Sequence, residues 1–307
     1  MIIDSHTHIS VTTKGGSFEL SKKKLLSEMK KNKITKAIVI PDNISNPRCA
    51  DMEAVAKLIK NEPKLSMVAS LKIKNINHKN INIIKKLFNK KQALGFKIFP
   101  GHDPIYPTDK RWLPVIKLCM RYNLPLIIHT GVNSGNKATA KYNDPKYIIK
   151  LARNFKNLKI IIAHYFWPRL DYCFKITNGF GNIYFDTSAL ADEEIINESG
   201  GLKKIKEILI KTILRKSDSV LFGTDWPIGN IKKHIDLINS LPISQLAKES
   251  IFSKNAIKLF RIQKEPRIRL KMIPGLLESA VHLKNYSCNK ALILYHKFAS
   301  GFVQQSH

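Results

Sequence analysis

The sequence predicts an α/β protein folded as a (β/α)8 TIM barrel. Eight short apolar, β-branched runs recur about every 30 residues, the length of one βα unit. Between most of them lie stretches with apolar residues at helical spacing. No G-x-G-x-x-G phosphate loop follows an early run, which weighs against a doubly wound open sheet.

The runs are MIIDSH (1–6), KAIVIP (36–41), LSMVASL (65–71), GFKIFP (95–100), LPLIIHTG (124–131), KIIIAHY (159–165), NIYFDTS (182–188) and SVLFGTDWP (219–227). Most are apolar on both alternating faces, as strands of a parallel sheet covered by helices are. Helical patterns occupy 20–32, 51–61, 80–91, 109–122, 144–155 and 201–216. A last one runs from 232 to about 260, with a break expected at Pro242. Residues 1–261 therefore read as one barrel. The basic remainder, 262–307, continues no βα rhythm and reads as an appendage; its His282, His296 and His307 show no ligand spacing.

Composition narrows the class. The apolar fraction of 44% is ample for a core, and no run approaches the ~18 uncharged apolar residues of a membrane span. Asp4, Ser5 and His6 stand where a secretory signal would be apolar. Cys49, Cys119, Cys173 and Cys288 form no C-x-x-C pair, which fits reduced thiols. Together these predict a soluble cytoplasmic protein, with homo-oligomerisation left open. The 52 Lys+Arg against 23 Asp+Glu give a formal charge of +29. Much of that excess is lysine in runs such as SKKKLLSEMKKNK and LKKIKEILIKTILRKS, where it lines the outer faces of helices. That placement argues against nucleic acid as the partner and leaves a small-molecule substrate.

The chemistry lies at the strand ends. In an extended strand residues i and i+2 face the same way, so His6 and His8 aim together, and Asp4 shares their parity. His129 ends the fifth run, His164 the sixth and Asp225 the eighth. The C-terminal ends of all barrel strands open on one mouth. Clustered imidazoles repel when protonated, and buried polar groups need partners; a divalent cation satisfies both conditions.

This pattern resembles the amidohydrolase superfamily of metal-dependent barrels. GFKIFPG, LPLIIHTG, IIIAHYFWP, FDTSA, LFGTDWP and NAIKLF resemble its amidohydrolase-related branch, which includes decarboxylases of the aminocarboxymuconate-semialdehyde type. The resemblance covers roughly residues 1–260. It implies His6, His8, His129 and Asp225 as ligands of one divalent ion, most simply zinc. It also implies His164 as an orienting or proton-handling group, with Asp225 placed to accept a proton. The expected reaction is hydrolysis of a C–N or C–O bond in an amide, lactone or cyclic imide, in a molecule expected to be anionic. The alternative is non-oxidative decarboxylation of an unsaturated or aromatic carboxylic acid.

Lys97 lies centrally in the fourth run, where some superfamily members carry a carbamylated lysine between two metals; substrate contact is the expectation here. TatD-like nucleases of the superfamily carry a glutamate on that strand, and this chain does not. His102 and Trp226 are the other candidate substrate contacts, with Asp103 beside His102. Asp186 is expected to hydrogen-bond a neighbour, and Asp4 to brace a ligand histidine or to serve the barrel wall. Asp42 and Asn43 face the mouth without a usable pattern.

Overall fold

The computed structural model describes residues 1–42, 48–132 and 137–263. Asn43 and the expected appendage from Lys264 onward lie outside the described residues. The chain alternates strand and helix: β1 (Ile3–Thr7), α1 (Phe18–Lys31), β2 (Lys36–Val39), α2 (Met52–Ile59), β3 (Leu65–Ser70), α3 (His78–Asn89) and β4 (Ala93–Ile98). There follow α4 (Leu113–Tyr122), β5 (Leu126–Ile128), α5 (Pro145–Asn154), β6 (Ile160–Ile162), α6 (Leu170–Thr177) and β7 (Ile183–Asp186). Then come α7 (Glu193–Glu198), α8 (Leu202–Arg215), β8 (Val220–Leu221), α9 (Ile231–Asn239), α10 (Gln245–Glu249) and α11 (Asn255–Phe260).

Helix starts carry the side chains that their free backbone N–H groups need. Ser17, Asp51, Asn77, Asp144, Asn230 and Ser244 each accept a bond from a backbone N–H two or three residues on. The chain leaves α9 at Asn239, ahead of Pro242, as the proline predicts. The sequence pattern did not anticipate α6 or α7, which are only 8 and 6 residues long.

All eight strands pair in parallel in the order β1 to β8, as a TIM barrel requires. The seam between β8 and β1 is closed by Ser5 N–H to the Phe222 carbonyl at 2.9 Å and His8 N–H to the Trp226 carbonyl at 2.7 Å. The Asp4 carboxylate reinforces it, accepting from the Thr224 hydroxyl at 2.6 Å, the Thr224 N–H at 3.1 Å and the His6 N–H at 3.2 Å. Register slips between Asp4 and Thr7, so simple alternation does not carry from Asp4 to His6. Asp4 thus braces the His6 backbone rather than its ring.

The core has two parts. Ile3, Ile38, Val68, Ile127, Ile161 and Leu221 pack together inside the barrel, where Leu259 and Phe260 of α11 join them. The larger cluster, which includes Ala37, Val39, Phe96, Ile128 and Ile162, lies between the sheet and its helices. Each fully buried aliphatic side chain contributes roughly 1.5–3 kcal/mol, so the wall holding the site is rigid. Among the described residues no helix is long and apolar enough to cross a membrane.

Candidate metal centre

His6, His8 and Asp225 meet at the seam. Asp225 Oδ1 lies 3.4 Å from His6 Nε2 and 3.3 Å from His8 Nε2. The three donors fall within 4.8 Å of one another, a spacing that suits a metal ion. Asp225 sits beyond β8 because its N–H bonds the His6 carbonyl at 2.8 Å, turning the loop onto β1. Its backbone is left-handed (φ 64), as is that of His164 (φ 60). Such residues are costly and persist where surrounding bonds hold them. For His164 those bonds are its own N–H to Asp186 Oδ1 at 2.9 Å, and Thr130. The Thr130 hydroxyl donates to the Ala163 carbonyl at 2.5 Å and accepts from the Phe166 N–H at 2.9 Å.

The ring of His6 is anchored from behind by Asp186. Its Nδ1 lies 2.8 Å from Asp186 Oδ2, and an ionised carboxylate only accepts, so Nδ1 carries the proton. The opposite nitrogen, Nε2, is buried and has no hydrogen-bond partner. A lone pair of that kind, facing a carboxylate oxygen and a second imidazole, is what a cation would satisfy. The second candidate cluster, His6, His164 and Asp186, is already held by hydrogen bonds.

Electrostatics favour positive charge at the same point. Burial opposes protonation of His8, yet Asp42, 3.3 Å from Nδ1, together with Asp225 overrides it and raises the pKa to about 10. Burial also opposes ionisation of Asp225, but His164, His8 and His6 hold its pKa well below the usual carboxylate range. His129 and His164 are kept neutral chiefly by burial, the first with its pKa well below 6.5 and the second at about 3. The neutral imidazoles of His6, His129 and His164 with the ionised Asp225 fit a divalent cation, which would take the place of the proton that Asp42 and Asp225 hold on His8.

The rest of the predicted set divides. The ring of His129 lies 4.9 Å from that of His164 and 5.0 Å from that of His102, centroid to centroid, and lines the same cavity. It does not join the close group formed by His6, His8 and Asp225. The cavity measures about 1130 Å³ and is lined by His8, Asp42, His102, His129, His164 and Asp225, among others. Lys97 and Trp226 do not line it. Lys97 is fully buried in the barrel interior, its Nζ without a hydrogen-bond partner and 5.1 Å from the Phe99 ring centroid. Burial depresses its pKa to about 8 against the pull of Asp186, Asp225 and Asp42. Trp226 is buried and gives its carbonyl to His8.

Four groups at the site have partners that the sequence did not reveal. Asp42 flanks His8, Asp186 anchors His6, Thr130 supports His164, and Ser188 lies between His6 and His164. Of these, Ser188 had a readable signal, since it stands two residues after Asp186 in FDTSA. The lining adds Asp192, Glu193, Glu194 and Glu198 together with Arg48 and Lys233, and Lys233 pairs with Glu193 at 2.7 Å.

Residues 81–262, more than half of the chain, match the family model for amidohydrolases. The chain belongs to the amidohydrolase family. Several solved structures share the fold of this amidohydrolase. A TIM-barrel protein of uncharacterised function from Bordetella bronchiseptica is 19% identical at a TM-score of 0.67, covering 85% of this chain and 98% of its own. The 5-carboxyvanillate decarboxylase of Sphingomonas paucimobilis is 15% identical at a TM-score of 0.60, over 85% and 99%. A probable 2-pyrone-4,6-dicarboxylic acid hydrolase from Acinetobacter baumannii, with citric acid bound, is 14% identical at a TM-score of 0.61, again over 85% and 99%. No curated protein matches the chain significantly.

Proposed function

We propose that this amidohydrolase-family chain holds one divalent cation, most simply zinc, between His6, His8 and Asp225, with His129 as the fourth donor. With that ion it hydrolyses a C–N or C–O bond of a small carbonyl compound such as an amide, lactone or cyclic imide. The observation that carries this reading is the buried, unpartnered Nε2 of His6, aimed at the carboxylate oxygen it shares with His8. A bound divalent ion supplies Lewis acidity to a carbonyl and makes water nucleophilic near neutral pH.

The chain's own residues supply the rest. Asp225, held ionised, accepts the proton that the attacking water releases. His164, neutral and lining the cavity, is the second proton acceptor. His102 contacts substrate from the facing wall. Lys97 acts through its charge, offsetting Asp186 and Asp225 from inside the barrel, and does not touch substrate. The rim carries both signs, with Arg48 and Lys233 beside the acidic residues of α7, and the substrate is a small molecule expected to be anionic. Three free thiols among the described residues, Cys49, Cys119 and Cys173, are in keeping with a reducing cytoplasm.

Decarboxylation of an unsaturated or aromatic carboxylic acid is the second reading, favoured by the likeness to the 5-carboxyvanillate decarboxylase. Metal analysis tests the centre: about one equivalent per chain is expected, lost in the His6→Ala/His8→Ala double variant. Two equivalents would shift the assignment to a pair of ions bridged by carbamylated Lys97, and none after reloading would refute it. The loaded enzyme is then given lactones and amides on one side and aromatic acids on the other. Release of carbon dioxide without hydrolysis would replace the first reading with the second.

A further inference from the structure

Ser188 has no role in the reaction as proposed, yet its hydroxyl is shared among three side chains near the centre. The side chain is fully buried. Its Oγ makes a short hydrogen bond to Asp186 Oδ1 and lies 2.8 Å from His164 Nδ1 and 3.1 Å from His6 Nδ1. A hydroxyl has one proton to give and two lone pairs to receive with. Counting donors at this node fixes every proton.

Asp186 is ionised and accepts only; burial opposes this, but His6 and His164 hold its pKa below the usual carboxylate range. Its Oδ2 takes the His6 Nδ1 proton. Its Oδ1 faces Ser188 Oγ, and because an ionised carboxylate only accepts, the serine donates there. Having spent its proton, Ser188 Oγ is an acceptor toward His164. The only group His164 presents to it is Nδ1, which therefore carries the imidazole proton. The remaining nitrogen, Nε2, is left as a bare lone pair.

We propose that Ser188 is a positioning residue that locks His164 in the tautomer protonated on Nδ1. His164 then faces the cavity as a proton acceptor or ligand and not as a donor. The consequence is specific. A neutral His164 offers no N–H to a developing oxyanion, so it stabilises one only after it has taken up a proton. When it does, the imidazolium keeps its Nδ1–H bond to Ser188, and the carboxylate of Asp186 lies one hydroxyl away. The same carboxylate orients His6, so one anion sets the orientation of two imidazoles, directly for His6 and through Ser188 for His164.

This inference deepens the proposed function by assigning His164 its direction of proton transfer, but its test does not depend on turnover. Two-bond proton–nitrogen correlation spectra distinguish the two neutral tautomers of a histidine. They are recorded on zinc-loaded wild type, Ser188→Ala and Ser188→Thr, with the His164 signals identified by their loss in His164→Gln. The expected wild-type pattern is protonation on Nδ1, retained in Ser188→Thr, which keeps the hydroxyl. In Ser188→Ala the proton is expected to move to Nε2. A wild-type His164 protonated on Nε2, or a Ser188→Ala spectrum still showing Nδ1 protonation, would overturn the proposal. The wild-type result decides even if Ser188→Ala does not fold. Elemental analysis of the same samples separates the two claims: no metal in any of them refutes the centre, while the tautomer pattern still judges Ser188.

Discussion

Removing the Asp4 carboxylate should open the barrel seam while leaving the ligand side chains themselves in place. In Asp4→Ala three buried donors lose their acceptor: the Thr224 hydroxyl, the Thr224 N–H and the His6 N–H. The Thr224 N–H retains the His6 carbonyl at 3.3 Å, so two donors are left fully orphaned. Each orphaned buried donor costs roughly 1–3 kcal/mol, which puts the loss at about 4 kcal/mol. For a body of this size that corresponds to a fall in Tm of roughly 10 °C. Asp4→Asn separates hydrogen bonding from shape. Its carbonyl oxygen can serve both N–H groups and its amide can donate to the Thr224 hydroxyl, so the expected cost is only about 1 kcal/mol. Urea denaturation at neutral pH, followed by far-UV circular dichroism, measures both. If Asp4→Ala costs less than about 1 kcal/mol, or if Asp4→Asn costs as much as Asp4→Ala, the seam is not held by these bonds.

Three further outcomes are expected. His234 is fully buried, with Nδ1 2.8 Å from the Asn230 carbonyl, and burial lowers its pKa to about 4. The unfolded chain therefore binds this proton first as pH falls through about 6.5, and about 3 kcal/mol of stability should be lost between there and pH 4; His234→Gln should flatten that part of the urea-midpoint profile. Gly229→Ala would set a Cβ 1.8 Å from the Thr224 carbonyl oxygen, so the Asp225 loop must shift. Chelator competition should then show metal binding weakened about tenfold or more, and unchanged affinity would remove Asp225 from the ligand set. Thr130→Val leaves the Phe166 N–H without its acceptor beside His164, and a thermal melt should register a loss of about 2 kcal/mol.

The barrel was legible because most βα units repeat one signal: a short apolar strand, a polar break and an amphipathic helix. Short α6 and α7 escaped because one or two helical turns give too few residues to display a period. His6, His8, His129, His164 and Asp225 were visible as strand-end residues, since each follows an apolar run that fixes where it emerges. What placed them in detail was not visible. The slip between Asp4 and Thr7 changes which residues of β1 share a face, and no residue pattern announces it. Asp186, Thr130 and Ser188 act through neighbours distant in sequence, so their partners became readable only once the strands were side by side. Lys97 was expected to contact substrate from the middle of its strand; its side chain is fully buried and is not among the residues lining the cavity.

The seam also sets an order on biogenesis. His6 and His8 leave the ribosome long before Asp225 and the backbone of 222–226 that receives β1. During synthesis the early histidines have no carboxylate partner from β8, and strand β1 lacks one of its two neighbours. On the proposed ligand set, acquisition of the ion would be tied to completion of the ring. A chain halted before residue 225 would carry two of the close donors and no closed site, so loading with metal would report that the last strand has come home.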